Sequence, residues 1–331
     1  MEKLQINKLA NLKLYSKLFL PLLILCTCLI ESCSKDKVDV DDKSLSTEVT
    51  IGAVLSTSNV VNLNKIDRLG ELLNNELPKL RFTGDEISNY EEAIEKICND
   101  EWDLSFAFSP LVASRALEEC DHTVLHPAFV YEQKPLNENT YFMGFIAKKD
   151  SQINSLEDIE GKSLALKQRH SASGFYVPLS MLYGKTLAKV GFLGTENDVA
   201  RNVLYGNYDV GVTAMNNDSV MAYGKLNDRL KLIAKSRPIP GGALLISNKL
   251  EEKLGSKNYD ALLKALEQES VYQEAPKITT KDGDAYLYHP KYPIPEYKDF
   301  FTSIVNKVDS IGDCYLKTPA QIFDCRTETK K

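Results

Sequence analysis

Short apolar runs, separated by stretches whose apolar residues recur at helical spacing, constrain this chain more than any other feature. Val49–Leu55, Leu80–Thr83, Asp103–Phe108, Thr140–Ala147, Ser163–Leu166, Asp209–Ala214 and Leu230–Ala234 read as strands. Between the first two, Ile66, Leu69, Leu72 and Leu73 mark one face of a helix. Further helices are expected over Tyr90–Asn99, Leu111–Glu119, 174–185, 196–205 and 217–226, with a helical turn at Leu156–Ile159. Strands alternating with helices build βαβ units, and such units build parallel sheets covered on both faces. The fold class is therefore α/β, with mixed, mainly parallel sheets flanked by helices.

The N-terminus sets the compartment. Lys3, Lys8, Lys13 and Lys17 precede an apolar run from Leu18 to Ile30, followed by Glu31-Ser32-Cys33. A run of about 13 residues is too short to span a bilayer as a helix and reads as a signal-peptide core. Ile30-Glu31-Ser32-Cys33 resembles a bacterial lipobox, although Glu31 stands where a small residue is usual. The expectation is a leader over residues 1–32, a lipid on Cys33 and a polar tether over 33–48 that carries Asp36, Asp39, Asp41 and Asp42. The working part then lies in the cell envelope, facing the periplasm or the cell surface. Loss of the leader removes four lysines and two glutamates, so the formal charge falls from −6 to −8. An acidic chain without a basic cluster excludes nucleic acid as a partner. Apart from Cys26 and Cys28 in the leader and Cys33, four cysteines remain: Cys98, Cys120, Cys314 and Cys325. In an oxidising compartment they allow three disulfide pairings. Nearness in sequence favours Cys98–Cys120 and Cys314–Cys325.

The segment Gly161–Pro178 reads as a strand, a hydroxyl-rich turn and the first turn of a helix. Ser171-Ala172-Ser173-Gly174 would bring serine hydroxyls and unpaired amides together where a helix dipole is positive, which makes an anion site. Ser56-Thr57-Ser58, Ser109 and Asn216-Asn217 fall at the ends of other strands, where open α/β sheets bind ligands. Micromolar capture requires about 8 kcal/mol. A hydrogen bond to a charged group contributes about 1.5–3 kcal/mol, so a few donors suffice without a metal or an arginine clamp. The competing use of these serines is helix capping.

Catalytic readings find little support. No Gly-x-Ser-x-Gly elbow occurs, and the Ser-x-x-Lys spacing, Ser34 to Lys37, falls in the tether. His122 and His126 have metal-ligand spacing for a helix, but Thr123-Val124-Leu125 and Pro127 argue for an extended segment, with the two about 13 Å apart. His289 is isolated, and there is no phosphate loop or cofactor fingerprint. The chain reads as a binding protein, without catalytic residues, metal or cofactor.

Several motifs in order carry a resemblance. They are Asn89-Tyr90-Glu91-Glu92-Ala93, Glu101-Trp102-Asp103-Leu104-Ser105-Phe106 and Ser109-Pro110; Asp150-Ser151 and Ser155-Leu156-Glu157-Asp158-Ile159-Glu160-Gly161-Lys162; and Ser171-Ala172-Ser173-Gly174. Gly194, Asp198, Val203, Gly206, Asp209, Val210 and Gly211 follow, then Ser236-Arg237-Pro238-Ile239-Pro240. Over roughly residues 49 to 270 the chain resembles the phosphonate and phosphite substrate-binding proteins of ABC importers.

The resemblance implies a two-lobed periplasmic-binding-protein fold of type II-like build, with the ligand in a cleft between lobes joined by two crossovers. Lobe 1 would comprise residues 49–140, lobe 2 residues 141–237, and residues 238–331 would return to lobe 1 and end in a helical segment. Ser171, Ser173 and Gly174 would grip an oxyanion from lobe 2, with Ser109 and Ser56–Ser58 closing from lobe 1. Asn216 lies at another strand end, and Tyr141 and Tyr176 would wall the cleft or pack in the core. Arg169 and His170 flank the site.

Two positions depart from the pattern: Ala172, where the family often has a hydroxyl, and Glu196, where it has a histidine. A carboxylate beside a dianion is repulsive unless protonated or paired. Glu196 would thus meet an ammonium on the ligand, or cap its helix in solvent. Tyr286, Tyr288, Tyr292 and Tyr297, among prolines, read as an irregular segment on lobe 1, followed by a helix over Glu296–Val308. The implied partners of this monomer are a small oxyanion, an ABC permease and, through the lipid, a membrane. The alternatives are a sulfonate or pyrimidine-like ligand, or a sensing lipoprotein coupled to a signalling partner.

Overall fold

The computed structural model describes residues 46–54, 63–131, 139–216, 219–220, 228–275, 278–280 and 283–325. The expected leader, Cys33 and most of the tether lie outside the described residues, as do Ser56, Thr57, Ser58 and Asn217. Thr47 and Glu48, assigned to the tether, already belong to the first strand.

In chain order the first half runs β1 (Thr47–Val54), α1 (Leu63–Glu76), β2 (Leu80–Ile87), α2 (Tyr90–Cys98), β3 (Leu104–Ala107), α3 (Pro110–Glu119) and β4 (His122–Tyr131). The middle is β5 (Thr140–Lys148), β6 (Ser163–Leu166), α4 (Val177–Met181), β7 (Thr186–Leu187), β8 (Lys189–Phe192), α5 (Glu196–Tyr205), β9 (Val210–Asn216), β10 (Ser219–Val220) and β11 (Leu230–Lys235). The chain ends through β12 (Ile239–Pro240), β13 (Gly242–Ser247), α6 (Leu250–Leu254), α7 (Ser256–Leu266), α8 (Glu269–Tyr272), β14 (Ile278–Thr280), β15 (Gly283–Tyr288), α9 (Tyr297–Ile311) and β16 (Ala320–Gln321).

Two sheets result. The first has the order β14-β15-β4-β13-β3-β1-β2, and the second is built on β11-β5-β9-β6-β8. Strands β3, β6 and β13 are buried at every position, as expected of strands covered on both faces. Among the described residues parallel pairing is confined to β2-β1-β3 and to β8-β6-β9. Strands that carry the chain between sheets enter from the opposite end and pair antiparallel, so the sheets are less parallel than the alternation predicts.

The two connections between the sheets lie side by side: Thr140 and Tyr141 pair antiparallel with Pro240 and Ile239. Gly241 N–H donates to Asn139 O at 2.9 Å. A Cβ at Gly241 would lie 2.6 Å from Asn139 Oδ1, so a larger residue there would have to displace the Asn139 side chain.

Three local expectations are corrected. The helix placed over 174–185 starts earlier, as a five-residue π turn at Ala172–Tyr176, and α4 ends at Met181. The helix placed over 217–226 lies largely outside the described residues, but Ser219–Val220 within it pairs with Met215 and Asn216 as a strand. Tyr286 and Tyr288 are in no irregular segment: they belong to β15, paired antiparallel with β4.

Helix α9 spans both cores. Tyr297 packs in the cluster of the first sheet and donates to Gly242 O at 3.0 Å. Phe301, Ile304, Val308 and Ile311 join the cluster of the second. Beyond the helix, β16 pairs with β7 and Ile322 N–H donates to Lys185 O at 2.9 Å, so the C-terminal segment packs on the second sheet rather than the first. Cys98 is bonded to Cys120 and Cys314 to Cys325, with Cα separations of 4.7 and 5.9 Å. Among the described residues no helix is long and apolar enough to cross a membrane.

His122 and His126 share the extended strand β4. His122 Nε2 lies 3.4 Å from Trp102 O, and His126 stacks on Tyr288 with ring centroids 5.7 Å apart. Burial, and then His289, lower the His126 imidazole from 6.5 to about 4. Between those values the unfolded chain binds the proton and the folded chain does not, so stability must fall as pH drops from 6.5 towards 4. Burial shifts His122, His170 and His289 in the same direction. Urea midpoints measured across this range should show a shallower acid slope for His126→Phe than for wild type. An unchanged slope would remove His126 from the titration.

Candidate functional site

The C-terminal ends of β6, β8 and β9 lie together at one edge of the second sheet. Lys167 follows β6, Thr195 and Glu196 follow β8, and Ala214 lies near the end of β9. Lys167 Nζ donates to Glu196 Oε1 at 2.9 Å, and the same oxygen accepts from Ala214 N at 3.4 Å. The side chains of Lys167 and Glu196 are 5% and 7% exposed. The solvent-facing cap expected of Glu196 is not seen: the side chain is out of solvent, Thr195 caps the helix by accepting from Asp198 N, and the carboxylate meets the ammonium of Lys167. Burial opposes the charge on Lys167, but the Glu196 carboxylate outweighs it and holds the ammonium above its ordinary range. Removing one member of such a pair costs about 3–5 kcal/mol.

The Ser171–Gly174 turn packs directly on this lysine. Lys167 N donates to Gly174 O at 3.1 Å. A Cβ on Gly174 would lie 2.6 Å from Lys167 Cβ and 2.7 Å from Ser171 Oγ. Ser171 Oγ accepts from Gly174 N at 3.0 Å, and Ser171 O accepts from the amides of Phe175 and Tyr176. Ser171 therefore caps, and the Gly174 amide is taken up by that cap. Ala172 is buried in the core, and its amide donates to Ser109 Oγ at 3.4 Å. Among the described residues, the Ser173 amide is the N–H of this turn left without an acceptor.

Tyr141, on β5, forms a side-chain hydrogen bond with Ser173 and lies in the field of Tyr90 and Glu196. Burial pushes its hydroxyl well up, and Tyr90 and Glu196 add to that. Tyr90 opens α2, whose N-cap Asn89 accepts from Glu91 N and Glu92 N. Burial raises the Tyr90 hydroxyl too, with Lys167 pulling it down and Glu196 pushing it up. Tyr90 thus brings the first sheet's layer to the ion pair, a role the sequence did not reveal.

Ser109 joins the halves in another way. It stands at the start of α3 but makes no cap; its hydroxyl donates to His170 O at 3.2 Å. His170 has a left-handed backbone, φ 61°, and Nε2 lies 3.9 Å from Glu91 Oε2. Tyr176 is buried, with its hydroxyl accepting from Arg115 at 2.8 Å and donating to Asp309 at 3.1 Å. It packs and bridges rather than lining an open wall. The Arg169 guanidinium lies over the rings of Phe192 and Tyr315. Asn216 pairs through its backbone with Ser219. Among the described residues no group of three His, Cys, Asp or Glu is placed to hold a metal.

Residues 51–282 match the model of a family described as ABC transporter, phosphonate, periplasmic substrate-binding protein. The chain belongs to that family. Members are substrate-binding proteins of ABC transporters rather than enzymes, and they deliver small ligands to a permease. Three solved structures are similar. XAC2383 from Xanthomonas citri, bound to chloride, has a TM-score of 0.61 at 13% identity, over 79% of this chain and 97% of that one. PhnD1 from Prochlorococcus marinus, in complex with methylphosphonate, has a TM-score of 0.54 at 17% identity, over 80% and 99%. PA3383 from Pseudomonas aeruginosa, a binding protein component of an ABC phosphonate transporter, has 0.53 at 17%, over 74% and 83%. At such identities the likeness speaks to fold, and the fold is the two-lobed periplasmic-binding-protein fold.

The cap and the glycine contact make opposite predictions from ordinary helix propensity. Ser171→Ala should cost about 1 kcal/mol in urea unfolding. Gly174→Ala, which usually gains about 1 kcal/mol in a helix, should here be destabilising by more than Ser171→Ala. A neutral or stabilising Gly174→Ala would contradict the contact with Lys167.

Proposed function

We propose that this chain is a lipid-anchored, monomeric receptor that captures a phosphorus oxyanion (phosphonate, phosphite or phosphate) and hands it to an ABC permease. The observation that carries the reading is the Ser173 amide, which among the described residues has no acceptor in an otherwise bonded turn. The Ser173 hydroxyl and Tyr141 stand beside it as further hydrogen-bonding groups. Lys167 supports the reading as well, because a Glu196 carboxylate already neutralised by an ammonium no longer repels a dianion. Ser109, bonded to the backbone at residues 170 and 172, serves to hold the halves together around the ligand. Cys33, behind its lipobox-like Ile30-Glu31-Ser32, carries the anchor and the acidic segment after it the tether.

Calorimetry on the detergent-solubilised full chain tests this reading. Methylphosphonate or phosphite should bind, and Ser173→Ala should weaken the better of them about tenfold or more, the worth of one hydrogen bond to a charged group. Ser171→Ala should change affinity less, because that hydroxyl oxygen is engaged in the cap. No binding of any phosphorus oxyanion, or equal effects of the two variants, would contradict the reading.

A further inference from the structure

The carboxylate at the edge of this site has a counter-cation, and the chain itself supplies it. Glu196 and Lys167 follow neighbouring parallel strands, their charged atoms are 2.9 Å apart, and both side chains are buried. The lysine stem lies against Gly174, one residue from Ser173, so the pair touches the turn that carries the free amide. Tyr90, from the first half of the molecule, lies within the field of both charges. We propose that Lys167 determines specificity: its ammonium takes the place beside Glu196 that the cationic tail of an aminoalkylphosphonate would need. The receptor then selects phosphorus oxyanions whose substituent carries no positive charge. This rests on the oxyanion reading given above.

The physical argument is one of occupancy and charge. Glu196 Oε1 already accepts from Lys167 and, more weakly, from Ala214. A second ammonium brought to this buried carboxylate would face Lys167 at close range, where like charges repel strongly. Discrimination of this kind works by building a repulsive element against the wrong ligand. Removal of the lysine leaves a buried carboxylate without a countercharge, and an incoming ammonium can supply one.

The experiment compares methylphosphonate with 2-aminoethylphosphonate by calorimetry on the full chain. Wild type should bind methylphosphonate at least about tenfold tighter, and Lys167→Met should move the ratio at least about tenfold towards the amino compound. That shift should vanish in Lys167→Met with Glu196→Gln, where no carboxylate remains. Equal wild-type affinities, a wild-type preference for the amino compound, an unchanged ratio in Lys167→Met or a shift that survives in the double variant would each overturn the proposal. The wild-type ratio needs no variant, so the proposal stays exposed even where Lys167→Met fails to fold. Binding of neither phosphonate by wild type would instead contradict the oxyanion reading, and this inference with it.

Discussion

A lysine and a glutamate buried side by side are costly unless each satisfies the other, and Lys167 and Glu196 satisfy this condition at the place where three strands of the second sheet end. The pair fixes more than its own charges. The lysine stem needs a residue without Cβ opposite it, which Gly174 provides, and that contact sets the path of the turn from Ser171 to Tyr176. The turn's amides are then consumed one after another by Ser109, Ser171 Oγ and Ser171 O. Among the described residues, the Ser173 amide then remains, with a hydroxyl and a tyrosine beside it. The anion selectivity proposed above would then arise from what the scaffold leaves unused.

The same region is where the two sheets meet. Ser109 reaches the backbone at His170 and Ala172, and Arg115 reaches Tyr176, so α3 of the first half grips both ends of the turn. Asp309 holds Tyr176 from α9, a helix that begins in one core and runs into the other. The paired connections at Tyr141 and Ile239 join the halves from behind. The proposed ligand, bonded to Ser173 and Tyr141, would sit among contacts contributed by both halves, as a protein that closes on its ligand requires.

Much of this was readable in the sequence because it depends on short-range pattern. Apolar periodicity located α5 and α3 to within a residue, and the nearness of the cysteines gave both disulfide pairs. The Lys167–Glu196 pair was not readable: the two are 29 residues apart, and only the parallel registry of β6 and β8 brings them together. Glu196 reads as a ligand contact or a solvent-facing cap because it opens α5, yet the hydroxyl of Thr195, one residue earlier, performs the capping. The proline and tyrosine content of residues 286–297 disguised β15, whose strand ends at Tyr288, before the first of those prolines, Pro290. The route of α9 over both cores depends on which face each sheet leaves uncovered, which local sequence does not record.

The most direct test of the central claim is a crystal structure of the chain with methylphosphonate bound. The account predicts phosphonate oxygens within hydrogen-bond reach, about 2.7–3.2 Å, of the Ser173 amide and of the Ser173 or Tyr141 hydroxyl, with Lys167 still on Glu196. A phosphonate bound elsewhere on the chain, or one that draws Lys167 away from Glu196 while Ser173 stays untouched, would contradict it.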